Sequence, residues 1–230
     1  MKTVPLGGGI PYEEGLKLQD AAVDALLDGS GEETLFLLEH APVYTIGRLR
    51  DQSSLRDSTL LPAPVFETNR GGQATYHGPG QLVGYPILDL RERNRDLHAH
   101  LRGIEEALIL ACQDFGIPAG RREGMTGVWV ENRKLASIGV GVRKWISMHG
   151  FAINITPESL LPFFAITPCG IDGVVMSCVT QEAGRSVGTG EFSDSVATHF
   201  QRIFGSEVEK QLAIQDMGPY QVWHEDDHAH

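Results

Sequence analysis

Cysteine is scarce in this sequence: Cys112, Cys169 and Cys178 are the only three, and none belongs to a CxxC pair. An odd count at irregular spacing excludes a disulfide framework and offers no zinc knuckle. It fits a reducing compartment, so a cytoplasmic location is expected. Long apolar runs are missing too. No stretch approaches the roughly 20 residues that cross a bilayer, and the opening segment 1–9 lacks the apolar core of a secretory signal. Positive charge is in short supply. Lys and Arg number 19 against 30 Asp and Glu, a net charge of −11, which argues against nucleic acid as a partner. Phosphate-cradling signatures are absent: there is no GxxxxGK(S/T), and no GxGxxG runs into a helix.

What remains is ordinary for a soluble globular protein. With 230 residues and 41% hydrophobic side chains, the chain is long enough to bury one core without staples. A single domain is expected over 1–224, followed by a frayed acidic, His-containing tail at 225–230. Pro11 and Gly29 bracket a helix at 11–28, with Leu16, Ala22, Val23, Leu26 and Leu27 as its apolar face. Thr34–Glu39, Val43–Ile46 and Gln81–Leu90 read as strands, and 48–64 as loop. Asp96 caps a second helix over 97–115, ending at Gly116. Three strands follow, Thr126–Val130, Lys134–Val142 and Trp145–Ile155, and their short connections predict antiparallel pairing. An amphipathic helix at Glu191–Phe204 closes the pattern. Helices separated by runs of strands, without a βαβ rhythm, predict an α+β fold with a mixed, largely antiparallel sheet flanked by helices.

The densest chemistry lies in Arg70-Gly71-Gly72-Gln73-Ala74-Thr75-Tyr76-His77-Gly78-Pro79-Gly80-Gln81. Such a glycine-rich stretch can be a plain surface turn. Here six hydrogen-bonding side chains sit beside a backbone free of bulk, which suits the wall of a pocket for an extended substrate. Among the cysteines, Cys112 and Cys178 lie in apolar runs and read as buried small hydrophobes. Cys169 stands between Pro168 and Gly170, a loop context that makes it the nucleophile candidate. A reactive thiol needs a partner that lowers its pKa or moves its proton. Lys134, at the head of a run of small and apolar residues, is one candidate, although a hairpin lysine is ordinarily solvated. His77 and His149 are the others.

Together these segments closely resemble the octanoyltransferase family of lipoate biosynthesis. The resemblance rests on Arg70–Gln81, Gly127–Val130, Lys134–Gly139, His149–Asn154 and Pro168–Gly170, in that order, and spans about residues 12–205. It implies a domain of the biotin and lipoate protein ligase type. The implied reaction takes octanoyl from acyl carrier protein through a cysteine thioester to a lysine amine on a lipoyl domain. Acceptors would be lipoyl domains of 2-oxoacid dehydrogenase complexes and the glycine cleavage H protein. No ATP and no metal are implied. The resemblance makes Cys169 the nucleophile and Lys134 its partner. It assigns substrate contact to Arg70, Gly71, Gly72, Gln73, Ala74, Thr75, Tyr76 and His77, to Ser137, Ile138 and Gly139, and to Gly150, Phe151 and Ala152. Competing readings are an ATP-dependent ligase on the same fold, a silent binding module, and a cysteine hydrolase using His77 or His149.

Charge also suggests a docking face. Residues 1–150 carry 16 basic against 19 acidic side chains, and residues 151–230 carry 3 against 11. Arg48, Arg50, Arg70, Arg133, Arg143 and Lys144 lie close in sequence to the proposed site, and are expected to steer an acidic carrier protein toward it.

Overall fold

The computed structural model describes residues 1–48, 52–55, 58–167, 174–205 and 223–224. The chain opens with strand β1 (Lys2–Ile10) and helix α1 (Tyr12–Asp28). Pro11 sets extended backbone ahead of α1, Glu13 and Glu14 favour its positive N-terminal end, and Gly29 stops it at φ 78°. Strands β2 (Thr34–His40), β3 (Val43–Ile46), β4 (Val65–Glu67), β5 (Thr75–His77) and β6 (Gln81–Ile87) follow. Helix α2 (Leu97–Asp114) begins at Asp96, whose carboxylate accepts from the Ala99 N–H at 2.9 Å. Next come β7 (Gly120–Arg122), β8 (Met125–Val130), β9 (Arg133–Arg143) and β10 (Ile146–Asn154). Strand β11 (Val175–Met176), helices α3 (Val179–Ala183) and α4 (Thr189–Phe204), and strand β12 (Trp223–His224) complete the elements.

The main sheet runs β1-β2-β6-β10-β9-β8-β7, with β11 and β12 each pairing with β9. The pairs β2–β6, β6–β10, β10–β9, β9–β8 and β8–β7 are antiparallel. The pairs β1–β2, β9–β11 and β9–β12 are parallel. The fold is therefore α+β on a mixed, largely antiparallel sheet. Helices α2 and α4 cover one face, where Leu101, Ile104 and Leu108 meet Val196, Phe200 and the inward residues of the strands. Helix α1 covers the other, through Val23 against Phe36, Val83 and Tyr85. Among the described residues no helix is long and apolar enough to cross a membrane.

Two features depart from the expectations above. Strand β1 carries Pro5 and three consecutive glycines, a composition that hides a strand. It is tolerated because β1 is the sheet's edge, and register shifts fall at Pro5/Gly7 and Gly7/Ile10. The glycine-rich segment is also less of a loop than its composition suggests. Thr75–His77 forms β5 of a second, three-stranded sheet ordered β4-β3-β5. The expected tail at 225–230 lies outside the described residues.

Candidate active site

A cavity of about 210 Å³ lies where β5 and the Arg70–Gln73 turn meet β6, β9 and β10. Strand register builds it. Ser137 pairs with Ala152, Ile138 with Phe151 and Gly139 with Gly150, so two of the expected substrate segments lie side by side. The third is laid on top. The Gly71 N–H donates to the Val140 carbonyl at 3.0 Å, and a Cβ on Gly139 would stand 2.8 Å from the Gly71 carbonyl oxygen. Only glycine lets the turn approach the strand this closely.

Arg70, Gly71, Gly72, Gln73, Thr75, His77, Ser137, Ile138, Gly139, Gly150, Phe151, Ala152 and Lys134 all line this cavity. Ala74 and Tyr76 do not. Alternation along β5 turns Thr75 and His77 inward and sends Ala74 and Tyr76 to a separate core with Tyr44, Ile46 and Phe163. Sequence reasoning left out further wall residues, among them Tyr12, Tyr85, Leu101 and Met125. The alternation of Val83 and Tyr85 in β6 was the one available signal for their shared face. Val83, Leu101, Met125, Ile138, Val140 and Phe151 make much of the wall apolar.

Lys134 is not the solvated hairpin residue its position suggests. It is 3% exposed, and its Nζ lies 5.1 Å from the centroid of the Trp129 ring. Trp129 reaches that place because a bulge between Val128 and Trp129 re-aims the end of β8 beside Lys134. Gly127 makes room at φ 129°, and its N–H is pinned by Glu105 Oε1 at 3.0 Å. A Cβ there would sit 2.4 Å from the Ala136 oxygen and 2.9 Å from Lys134 Cε. Gly127→Ala should therefore lower stability by about 1–3 kcal/mol and displace Lys134. Thermal melts, together with the alkylation rate of the most reactive thiol, check this. An unchanged rate alongside a lowered Tm would limit the effect to the fold.

Arg70 serves the loop's own geometry. Its guanidinium donates to the Thr45 hydroxyl and carbonyl and to the carbonyls of Gly71 and Gln73, at 2.8–3.3 Å. Around it stand buried imidazoles. Burial pushes His40 down to about 4. His149 falls to about 3 through burial and the neighbouring Arg70 charge. His77 lies well below its ordinary value, chiefly through burial and then through His40 and Arg70. Outside the cavity, burial takes His100 to about 3. All four are neutral at pH 7, which makes His77 and His149 weak proton acceptors.

These histidines predict acid lability. A folded-state pKa below the unfolded value of about 6.5 means that the unfolded chain binds more protons. Their stabilisation is complete above about pH 6.5 and is lost as pH falls toward 3–4, the values that His40, His100 and His149 reach. Denaturant melts at pH 7.5, 6 and 5 should show a falling midpoint. His100→Phe should flatten that fall; a slope equal to wild type would contradict the assignment to His100.

The remaining expectations divide. Cys112 and Cys178 are buried, and burial pushes their thiols up, Cys112 to about 12. Neither is poised as a thiolate. Cys169 lies outside the described residues. The expected basic face needs correction. Arg70 is buried, Arg133 is paired with Glu131 and Glu182, and Arg143 is paired with Asp20 and Asp24. Three of the six cations are thus committed within the molecule, and Arg50 lies outside the described residues. The sequence could not show these pairings, because Arg143 meets helix α1 across the fold.

Comparison with known proteins follows the same lines. The model of the "Lipoyl protein ligase A/B catalytic domain" family matches residues 11–201. An octanoyltransferase of Geobacter sulfurreducens is 50% identical over 200 residues, 87% of this chain and 83% of its own length. A lipoate-protein ligase A solved with ATP superposes with a TM-score of 0.65 at 17% identity, covering 92% of this chain and 91% of its own. A bi-partite lipoate protein ligase of Thermoplasma acidophilum, studied with its E2 lipoyl domain, gives 0.62 at 16% identity, covering 92% and 88%. The fold is that of the lipoate ligase catalytic domains. Within it, the chain belongs to the lipoyl protein ligase A/B catalytic-domain family, in its octanoyltransferase branch.

Proposed function

We propose that this protein transfers an octanoyl group from octanoyl-acyl carrier protein to a lysine amine on a lipoyl domain, through a thioester on Cys169. The observation that carries the reading is the placement of Lys134, buried against the same cavity on which the Arg70–His77, Ser137–Gly139 and Gly150–Ala152 segments converge. The largely apolar wall suits an alkyl chain.

In the first step the Cys169 thiolate attacks the carbonyl carbon of the carrier thioester. The carbon–sulfur bond to the carrier breaks, and the carrier thiolate takes up a proton. In the second, the acceptor lysine's neutral amine attacks the enzyme thioester, an amide forms, and Cys169 leaves as thiolate while the amine gives up a proton. Thioester exchange is nearly isoenergetic and amide formation is downhill, so no ATP is needed to drive either step. Lys134 stabilises the thiolate by charge and carries the proton in each half. The neutral, weakly basic His77 and His149 make poor substitutes for it. Backbone N–H groups of the glycine-containing turns would stabilise the oxyanion, though not that of Gly71, which already serves Val140.

Acceptors on this reading are the lipoyl domains of 2-oxoacid dehydrogenase complexes and the glycine cleavage H protein. The test is transfer from octanoyl-acyl carrier protein to an isolated lipoyl domain without nucleotide. Octanoyl-lysine formation supports the reading. A requirement for ATP and free octanoate would make the protein a ligase, and release of free octanoate without transfer would make it a hydrolase.

A further inference from the structure

Four buried residues from three separate stretches of the chain form one line of hydrogen bonds that ends at the cavity wall. The His77 ring places Nδ1 2.8 Å from Gln81 Oε1. Gln81 Nε2 donates to Asn154 Oδ1 at 3.0 Å, and Asn154 Nδ2 donates to the Ser177 carbonyl at 3.2 Å. The Ser177 N–H in turn donates to the Lys134 carbonyl at 2.9 Å. His77, Gln81, Asn154 and Ser177 are each 7% exposed or less. Ser177 is braced from a third side, its hydroxyl donating to Glu182 Oε1 at 2.6 Å. Glu182 is held by Arg133 at 2.7 Å.

The line has a fixed polarity. A backbone carbonyl can only accept, so Asn154 must turn its NH₂ toward Ser177 and its oxygen toward Gln81. Gln81 must then turn its NH₂ toward Asn154 and its oxygen toward His77. An amide oxygen cannot donate, so His77 must carry its proton on Nδ1. The Nε2 lone pair is left on the other side of the ring, where Thr45 Oγ1 stands at a long 3.5 Å. The arrangement starts at the backbone of Lys134 and ends at a side chain on the cavity wall.

We infer that Asn154 is a positioning residue, which acts through Gln81 on His77 and through Ser177 on Lys134 to hold His77 in its Nδ1–H form and β9 in register beneath the cavity. Asn154 touches no substrate in this arrangement. Its effect should appear in the rate of the chemical steps, not in substrate capture. The kinetic part rests on the octanoyl-transfer reading; the tautomer part does not.

Asn154→Asp removes the donor to Ser177 while keeping the shape, and Asn154→Leu removes both bonds without adding charge, should the carboxylate prevent folding. Nitrogen-15 spectra of the imidazoles read the tautomer directly. Wild type should show His77 as Nδ1–H; Asn154→Asp, whose carboxylate still accepts from Gln81, should keep that form, and Asn154→Leu should show the Nε2–H form appearing. Transfer kcat should fall by about 10- to 100-fold, the scale of a small misplacement, with the KM for octanoyl-carrier protein within about twofold. A wild-type His77 in the Nε2–H form overturns the inference. So does Asn154→Leu if it keeps the tautomer, or if it loses it at unchanged kcat. If wild type transfers no octanoyl group, the functional reading fails, and the spectra alone still decide the His77 assignment.

Discussion

Cys169→Ala should abolish both acyl-enzyme formation and transfer to the lipoyl domain, a loss of about 10³-fold or more, as expected when a covalent nucleophile is removed. Three sulfurs compete for this role, and two are disqualified by their surroundings. Cys112 is inside α2, fully buried, with its thiol pushed up to about 12. Cys178 is fully buried as well, and burial raises its thiol too. Cys112→Ala and Cys178→Ala should therefore still be acylated, with any loss traceable to packing and visible as a lower Tm. The comparison is made by intact-protein mass spectrometry after incubation with octanoyl-carrier protein. An acyl adduct of normal yield on Cys169→Ala would remove Cys169 from the mechanism.

The second large effect is expected at Lys134. Lys134→Met removes the charge and the proton carrier together. It should cost about 10²–10⁴-fold in transfer and slow alkylation of Cys169 near neutral pH. Lys134→Arg separates the two roles, because a guanidinium keeps its charge but cannot release a proton near neutrality. Thiol alkylation should be partly retained, while transfer stays near the Lys134→Met level. The Trp129 ring that faces Nζ tolerates a guanidinium, so misfolding is not the expected cause of failure. Equal transfer by wild type and Lys134→Arg would reduce Lys134 to an electrostatic role.

Much of the frame was legible before any coordinates, for identifiable reasons. Helix α1 is announced by Pro11 and Gly29, and α2 by the Asp96 cap, because termini are set by local chemistry. Strands β8, β9 and β10 show as apolar runs separated by connections of two residues. Even there the turn chemistry is concealed: Lys144 and Trp145 take φ 50° and 66° without a glycine or asparagine to signal it. Strand β1 is invisible because edge position, not composition, licenses its proline and glycines. The cavity was legible as three segments but not as one wall. Its continuity depends on the register of β9 against β10 and on the contact of Gly71 with Val140. The burial of Lys134 and the commitment of Arg143 to Asp20 and Asp24 were equally hidden. Both arise from side chains brought together by the fold, and no local pattern encodes such meetings. Asn154 is the same case, its partners Gln81 and Ser177 being 73 and 23 residues away.

The central claim is that the octanoyl group rests covalently on Cys169 between donor and acceptor. The most direct measurement is a chase followed by intact mass and peptide mapping. Wild-type protein is loaded with octanoyl-carrier protein, separated from it, and then mixed with a lipoyl domain in the absence of nucleotide. The account predicts one octanoyl adduct, mapped to the peptide containing Cys169, that disappears from the enzyme as an equal amount of octanoyl-lysine appears on the domain. An adduct on another residue, or octanoyl-lysine formed with no adduct able to deliver it, would contradict the account.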